Sequence, residues 1–116
     1  MQVQVSKEST LPFILNLVKR KQYLEALDRY KAYLTHYPDH LALILIDLYK
    51  TLYQDPNDIN IRLIISELYI KYHYFSDACI ELEEMFEINP NFSQTYFLLS
   101  KIYTQNTEID TVCRLF

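Results

Sequence analysis

Residues 60–70 read NIRLIISELYI, and residues 94–104 read QTYFLLSKIYT. Laid over one another, the two stretches share their apolar spacing. Ile65-Ser66 recurs as Leu99-Ser100, and Tyr69 recurs as Tyr103, at one common interval of thirty-four positions. Pro56 and Pro90, Asn57 and Asn91, and Cys79 and Cys113 keep the same interval. Apolar residues recurring at helical spacing mark an amphipathic helix. A fixed period of this length marks an architecture whose units bury their apolar faces against their neighbours. A second match lies upstream, between QYLEALDRYKAYLTHYPDH (22–40) and YFSDACIELEEMFEINPNF (74–92). Each has an aromatic residue before a helix (Tyr23, Phe75) and then an alanine (Ala26, Ala78). A proline follows each alanine at an equal distance (Pro38, Pro90).

Working outward, the spacing predicts about seven helices joined by short connections, the pattern of antiparallel neighbours. The first is expected over 11–21, capped by Ser9 or Thr10, with Pro12 in its first turn, where a missing N–H costs little. The second is expected over 24–36 and ends before Pro38, because the residue preceding a proline avoids the helical region. The others are expected over 41–54, 60–73, 77–87 with Ser76 as N-cap, 93–105, and 108–116. Pro38 and Pro56 stand only about half a period apart, which leaves room for one helix between them and not two. The helix over 41–54 fits the second position of a repeat, so the middle unit is expected to be a half-repeat.

These features resemble the tetratricopeptide repeat, a helix–turn–helix unit. A small residue and then an aromatic occupy the first helix (Ser66 and Tyr69; Ser100 and Tyr103). A small residue and then a large one occupy the second (Ala26 and Tyr30; Ala78 and Leu82), and a proline closes the unit. Small residues let paired helices approach, and large ones fill the gap to the next unit. The fold implied is an all-α, tetratricopeptide-like solenoid with one irregular half-repeat. A tail over 1–9 precedes a helical domain over 10–116, with repeats at about 8–40 and 59–92, the half-repeat at 41–58 and a partial repeat at 93–116.

A narrower resemblance is carried by Glu67-Leu68-Tyr69, Tyr74, Ala78, Leu82-Glu83-Glu84, Asn89-Pro90 and Tyr103-Thr104. Together these are similar to the C-terminal repeats of the family of subunit 2 of the endoplasmic reticulum membrane protein complex. Membership would imply a cytosolic scaffold, peripheral at the endoplasmic reticulum membrane through its partners, in a complex that inserts membrane proteins. The chain is short for that family, and Arg62 stands where an early aromatic residue is usual.

Composition excludes other classes. The chain of 116 residues contains no glycine. Phosphate-cradling loops, dinucleotide fingerprints and nucleophile elbows use glycine for close backbone approach or positive φ. With 15 acidic against 11 basic residues the net charge is -4, without the concentrated basic face that nucleic acid requires. Lys19, Arg20 and Lys21 read as a solvated helix end. The longest apolar run, Leu41 to Ile46, falls far short of the roughly 20 residues of a membrane span, and the polar start MQVQVSKEST does not read as a secretory leader. A soluble, cytoplasmic chain is therefore expected, with reduced thiols and no Cys79–Cys113 bridge.

No catalytic, cofactor or metal site is expected. His36 and His40 are separated by Pro38 and share no helical face, and His73 sits at a helix end. Glu81, Glu83, Glu84 and Glu87 read as a solvated acidic face, with a docking surface as the sharper alternative. Most of the 11 tyrosines are expected in core or inter-repeat packing. The function expected is therefore non-enzymatic binding of other protein subunits, without nucleic acid. The residues expected to meet partners are Leu63, Glu67, Phe97 and Lys101 on the inner face and Leu115 and Phe116 on the last helix. The alternative is another tetratricopeptide adaptor, or a co-chaperone that clamps a peptide carboxylate. Against a clamp, the inner face (Leu11, Leu15, Leu63, Glu67, Phe97, Lys101) offers one cation.

Overall fold

Six α-helices and one 3-10 turn make up residues 7–105, the part of the chain described by the computed structural model, and no strand occurs among them. The chain divides into two compact units between Gln54 and Asp55. The first contains α1 (Lys7–Lys19), α2 (Tyr23–His36), the 3-10 turn Pro38–His40 and α3 (Leu41–Leu52). Here α1 packs on α2, and α3 lies against α1. The second contains α4 (Ile59–Lys71), α5 (Phe75–Ile88) and α6 (Ser93–Gln105), with α4 against α5 and α6 against both.

The connections α1–α2 and α4–α5 are the same turn, built twice. Lys21 and His73 have φ of 66° and 67°. The amides of Lys21 and Gln22 donate to the carbonyls of Val18 and Leu17, and those of His73 and Tyr74 to Ile70 and Tyr69. This paired 5→2 and 6→1 bonding is the Schellman motif, which satisfies carbonyls a helix end would otherwise leave open. In the second hairpin the Tyr69 and Tyr74 rings meet edge to face at 6.3 Å, closing the turn with an apolar contact. The left-handed position normally goes to glycine. A chain without glycine places Lys and His there, at a steric cost of about 1–2 kcal/mol each. Lys21 is exposed, so Lys21→Gly relieves that cost without removing a buried contact. After the offset from a more flexible unfolded chain we expect a gain of about 0.5–1 kcal/mol in urea denaturation. An unchanged or lower midpoint would show that the turn is not strained.

The repeat interval survives in three dimensions. α4 starts at Ile59 and α6 at Ser93, separated by that one interval, and α6 is helical through Gln105, the last described residue. Buried Ile61, Ile64, Ile65 and Leu68 correspond to buried Thr95, Leu98, Leu99 and Ile102. The turns before them match as well: Asp58 N–H donates to Asp55 O, and Phe92 N–H to Asn89 O. Likewise the buried positions of α2, led by Ala26, Leu27 and Tyr30, line up with Ala78, Cys79 and Leu82 in α5. The buried residues Leu41, Ile44 and Leu48 of α3 stand one full interval before Phe75, Ala78 and Leu82 of α5.

Several boundaries differ from the sequence reading. α1 is already helical at Lys7, the first described residue, so Ser9 and Thr10 lie inside it and Pro12 falls beyond its first turn. The segment Lys7 to Thr10 continues the helix in place of capping it. α5 begins at Phe75 without a side-chain cap, so Ser76 is helical. The tight left-handed turn at His73 sets that start and leaves no room for a cap at Ser76. By contrast Asp58 caps α4, accepting from the amides of Asn60 and Ile61 at 3.0 and 3.2 Å. The expected seventh helix, 108–116, lies outside the described residues.

Candidate functional site

The surface of interest is built by α4 and α6, whose common register brings equivalent residues side by side. Glu67 and Lys101 are such a pair, one interval apart in sequence, and Lys101 Nζ lies 3.4 Å from Glu67 Oε1. The same ammonium lies 5.5 Å from the centroid of the Phe97 ring, within cation–π range. Phe97 itself is 57% exposed. Leu63, its counterpart on α4, is only 7% exposed and belongs to the core cluster with Ile70, Ala78, Leu82 and Leu98. The structure thus brings Glu67, Phe97 and Lys101 together at the surface and places Leu63 beneath. Leu115 and Phe116 lie outside the described residues. Because Lys101 is shared between a carboxylate and an aromatic ring, it offers a poor partner to a peptide carboxylate.

Arg62 is not among the candidates from sequence, yet it organises the edge of this unit. Its Nη1 donates to Glu81 Oε1 at 2.8 Å, while Nε and Nη2 both donate to the Pro56 carbonyl at 3.1 and 2.9 Å. Glu81 is 5% exposed, which corrects its assignment to a solvated acidic face. Of that group Glu84 and Glu87 are exposed and Glu83 is half-buried. A buried carboxylate needs a cation with good geometry, and the fork of Arg62 supplies it. One interval further on, Tyr96 Oη donates to the Pro90 carbonyl at 2.6 Å. Arg62 and Tyr96 therefore do the same task for the same turn. The signal in sequence is the coincidence of both residues with the proline interval.

Elsewhere polar chemistry is structural. Tyr33 Oη and His40 Nδ1 share a hydrogen bond of 2.7 Å, and the Tyr37 ring stacks on His40 at 5.3 Å, so His40 secures the Pro38 turn. His36 is exposed. Burial pushes the Tyr30 phenol well above its ordinary range, and the negative charge of Asp47 adds to this. Tyr30 thus stays neutral in the core at any physiological pH. Thr95 Oγ1 is buried with no hydrogen-bond partner among the described residues. Of the tyrosines only Tyr30 and Tyr33 are buried among the described residues; Tyr37, Tyr53, Tyr74, Tyr96 and Tyr103 are exposed. Tyr23, Tyr49, Tyr69 and Tyr72 are half-buried, so the tyrosines serve packing at helix ends and between helices more than the core itself. The reason is visible at Tyr74 and Tyr96, where the ring packs on a neighbouring aromatic at a helix end.

Among the described residues no group of three or more His, Cys, Asp or Glu is placed to hold a metal ion, and no helix is long and apolar enough to cross a membrane. Searches of protein-family models, of curated proteins and of solved structures each find no match to this chain.

Proposed function

We propose that this chain is a non-enzymatic protein-binding scaffold of the tetratricopeptide type, which presents the Glu67–Lys101–Phe97 surface to a protein partner. The observation that supports this reading is the repetition of α4 by α6, carried down to the hydrogen bonds on Pro56 and Pro90. A repeat built this way stacks its first helices in a row and offers one continuous face. An exposed aromatic with a cation over it suits a protein interface. The residues that resemble subunit 2 of the endoplasmic reticulum membrane protein complex run through α4, α5 and α6. The partners proposed are therefore other subunits of that membrane-embedded complex, with the chain peripheral on its cytosolic side.

Affinity purification of the full chain from native membranes, read by mass spectrometry, tests the assignment. Integral insertase subunits are expected among the recovered proteins, and Phe97→Ala is expected to reduce their recovery several-fold. Recovery of soluble chaperones alone would instead favour the co-chaperone reading. That outcome should then be accompanied by carboxylate-dependent binding of acidic C-terminal peptides.

A further inference from the structure

α3 and α5 bury equivalent residues one interval apart, so α5 shows what the opposite side of such a helix looks like when it faces water. Along that side of α5 the exposed residues are Asp77, Ile80, Glu84 and Glu87. All but the isoleucine are carboxylates. The counterparts on α3 are Leu43, Ile46, Lys50 and Tyr53, all exposed as well. Leu43, Ile46 and Tyr53 are each more than half exposed. Tyr53 lies just past the end of α3 but keeps a helical backbone, and its amide donates to the Tyr49 carbonyl. Their spacing holds the four side chains in one line along the helix. The inward side, with Leu41, Ile44, Leu48 and Leu52, is buried. α3 is thus apolar on both sides, the composition of a helix that is covered on both.

We propose that the Leu43–Ile46–Lys50–Tyr53 face is a self-association surface, occupied by the same face of a second copy of this chain laid antiparallel about a twofold axis. Charge complementarity picks out this occupant. Lys50 is exposed and Asp47, one turn before it at the edge of the face, is half-buried. Neither takes part in an ion pair among the described residues. In an antiparallel pair whose twofold axis passes between Leu48 and Tyr49, position 50 of one helix lies across from position 47 of the other. Lys50 then meets the second copy's Asp47, and Asp47 meets its Lys50, so one register makes both ion pairs. The same register carries Leu43 to the Tyr53 end of the other helix and sets both copies of Ile46 close to the axis. Exposed ion pairs are weak, each worth about two- to five-fold in affinity. They set the register, and the buried apolar surface supplies the attraction.

Other occupants fit less well. Against α5 of a second copy, Leu43 and Tyr53 would meet the carboxylates of Asp77 and Glu87, which resist desolvation beside apolar groups. A lipid surface attracts a helix whose polar margin is rich in cations, and this face has Lys50 with Asp47 beside it. One helix pair is a small interface. The dimer expected is therefore weak, half-formed at on the order of 10–100 µM. It uses residues of the first unit alone and does not rest on the function proposed above.

Sedimentation velocity of the full chain, from about 5 to about 500 µM, brackets a small interface of this kind. A monomer is expected at the low end and a dimer at the high end. Ile46→Asp should weaken the dimer at least about 10-fold, as the loss of a central apolar anchor does. Ile80→Asp, at the equivalent exposed position of α5, should leave it unchanged. Both substitutions are at the surface and should keep the wild-type urea midpoint. Lys50→Asp sets carboxylate against carboxylate across the axis, and Asp47→Lys sets cation against cation, so each alone should dimerise less than wild type. Mixed in equal amounts, the two variants should form a heterodimer. A chain that stays monomeric over the whole range would overturn the proposal, and so would a monomer that binds phosphatidylserine vesicles through Ile46. Loss of the dimer in Ile80→Asp would assign the occupant to α5 instead. A mixture of the charge variants that associates no better than either alone would exclude the antiparallel register.

Discussion

Arg62→Ala is expected to destabilise the second unit by about 3–5 kcal/mol, the range for removing one member of a buried ion pair. The two side chains are 13% and 7% exposed, so solvent cannot replace the lost cation effectively. The substitution also removes both hydrogen bonds from the guanidinium to the Pro56 carbonyl. The cost falls on one partner left behind, and not on the absence of charge as such. Consequently Arg62→Tyr with Glu81→Leu, which places a tyrosine at the position equivalent to Tyr96 and removes the orphaned carboxylate, should recover most of the loss. Urea denaturation of the two single variants and the double gives the coupling directly. Additive single effects would mean that the ion pair does not bind α4 to α5 as described.

Leu82→Ala should cost about 2–5 kcal/mol, through lost burial and the cavity left behind. Leu82 is fully buried in the cluster formed with Ala78, Met85, Leu98 and Ile102, where α5 meets both α4 and α6. Its neighbours belong to three helices already fixed by their own turns, which limits how far the site can collapse. Ile80 on the opposite side of α5 is 59% exposed, and Ile80→Ala should change stability by less than about 0.5 kcal/mol. Thermal unfolding would show the contrast, since a loss of this size moves the midpoint by about 10 °C or more. Equal effects at the two positions would contradict the burial pattern of α5.

Which features can be read from sequence follows from which forces act locally. The start of α6 is legible, because Asn89-Pro90-Asn91 stops the preceding helix, and the apolar spacing then runs unbroken to Ile102. The ends of α2 and α3 are nearly so, since Pro38 and Pro56 punctuate them. The start of α5 is not, because it is set by the backbone at His73. A left-handed histidine leaves no trace in composition when glycine is the residue one looks for. The helical state of Lys7 to Thr10 escapes the pattern because these residues carry neither an apolar stripe nor a clear stop.

The candidate surface is legible in part for a similar reason. Glu67, Phe97 and Lys101 lie on helices whose register the repeat fixes, so their meeting can be anticipated. Leu63 shares the register of Phe97 but not its exposure, because α5 covers α4. Glu81 looks like one of four surface carboxylates; only its place across the hairpin from Arg62 turns it inward. Such a contact depends on tertiary placement, which a single helix pattern does not contain.

Arg62 and Tyr96 show what kind of information the repeat transmits. One residue is a cation and the other a neutral phenol, and any scheme that compares letters scores them as unrelated. Yet each sits at the same distance beyond its proline and delivers a hydrogen to that proline's carbonyl oxygen. What recurs at the interval is a donor at a given reach, cast in different chemistry. Divergent repeats of this kind are better sought by asking which side chains can supply a proton to the turn than by asking which side chains are alike.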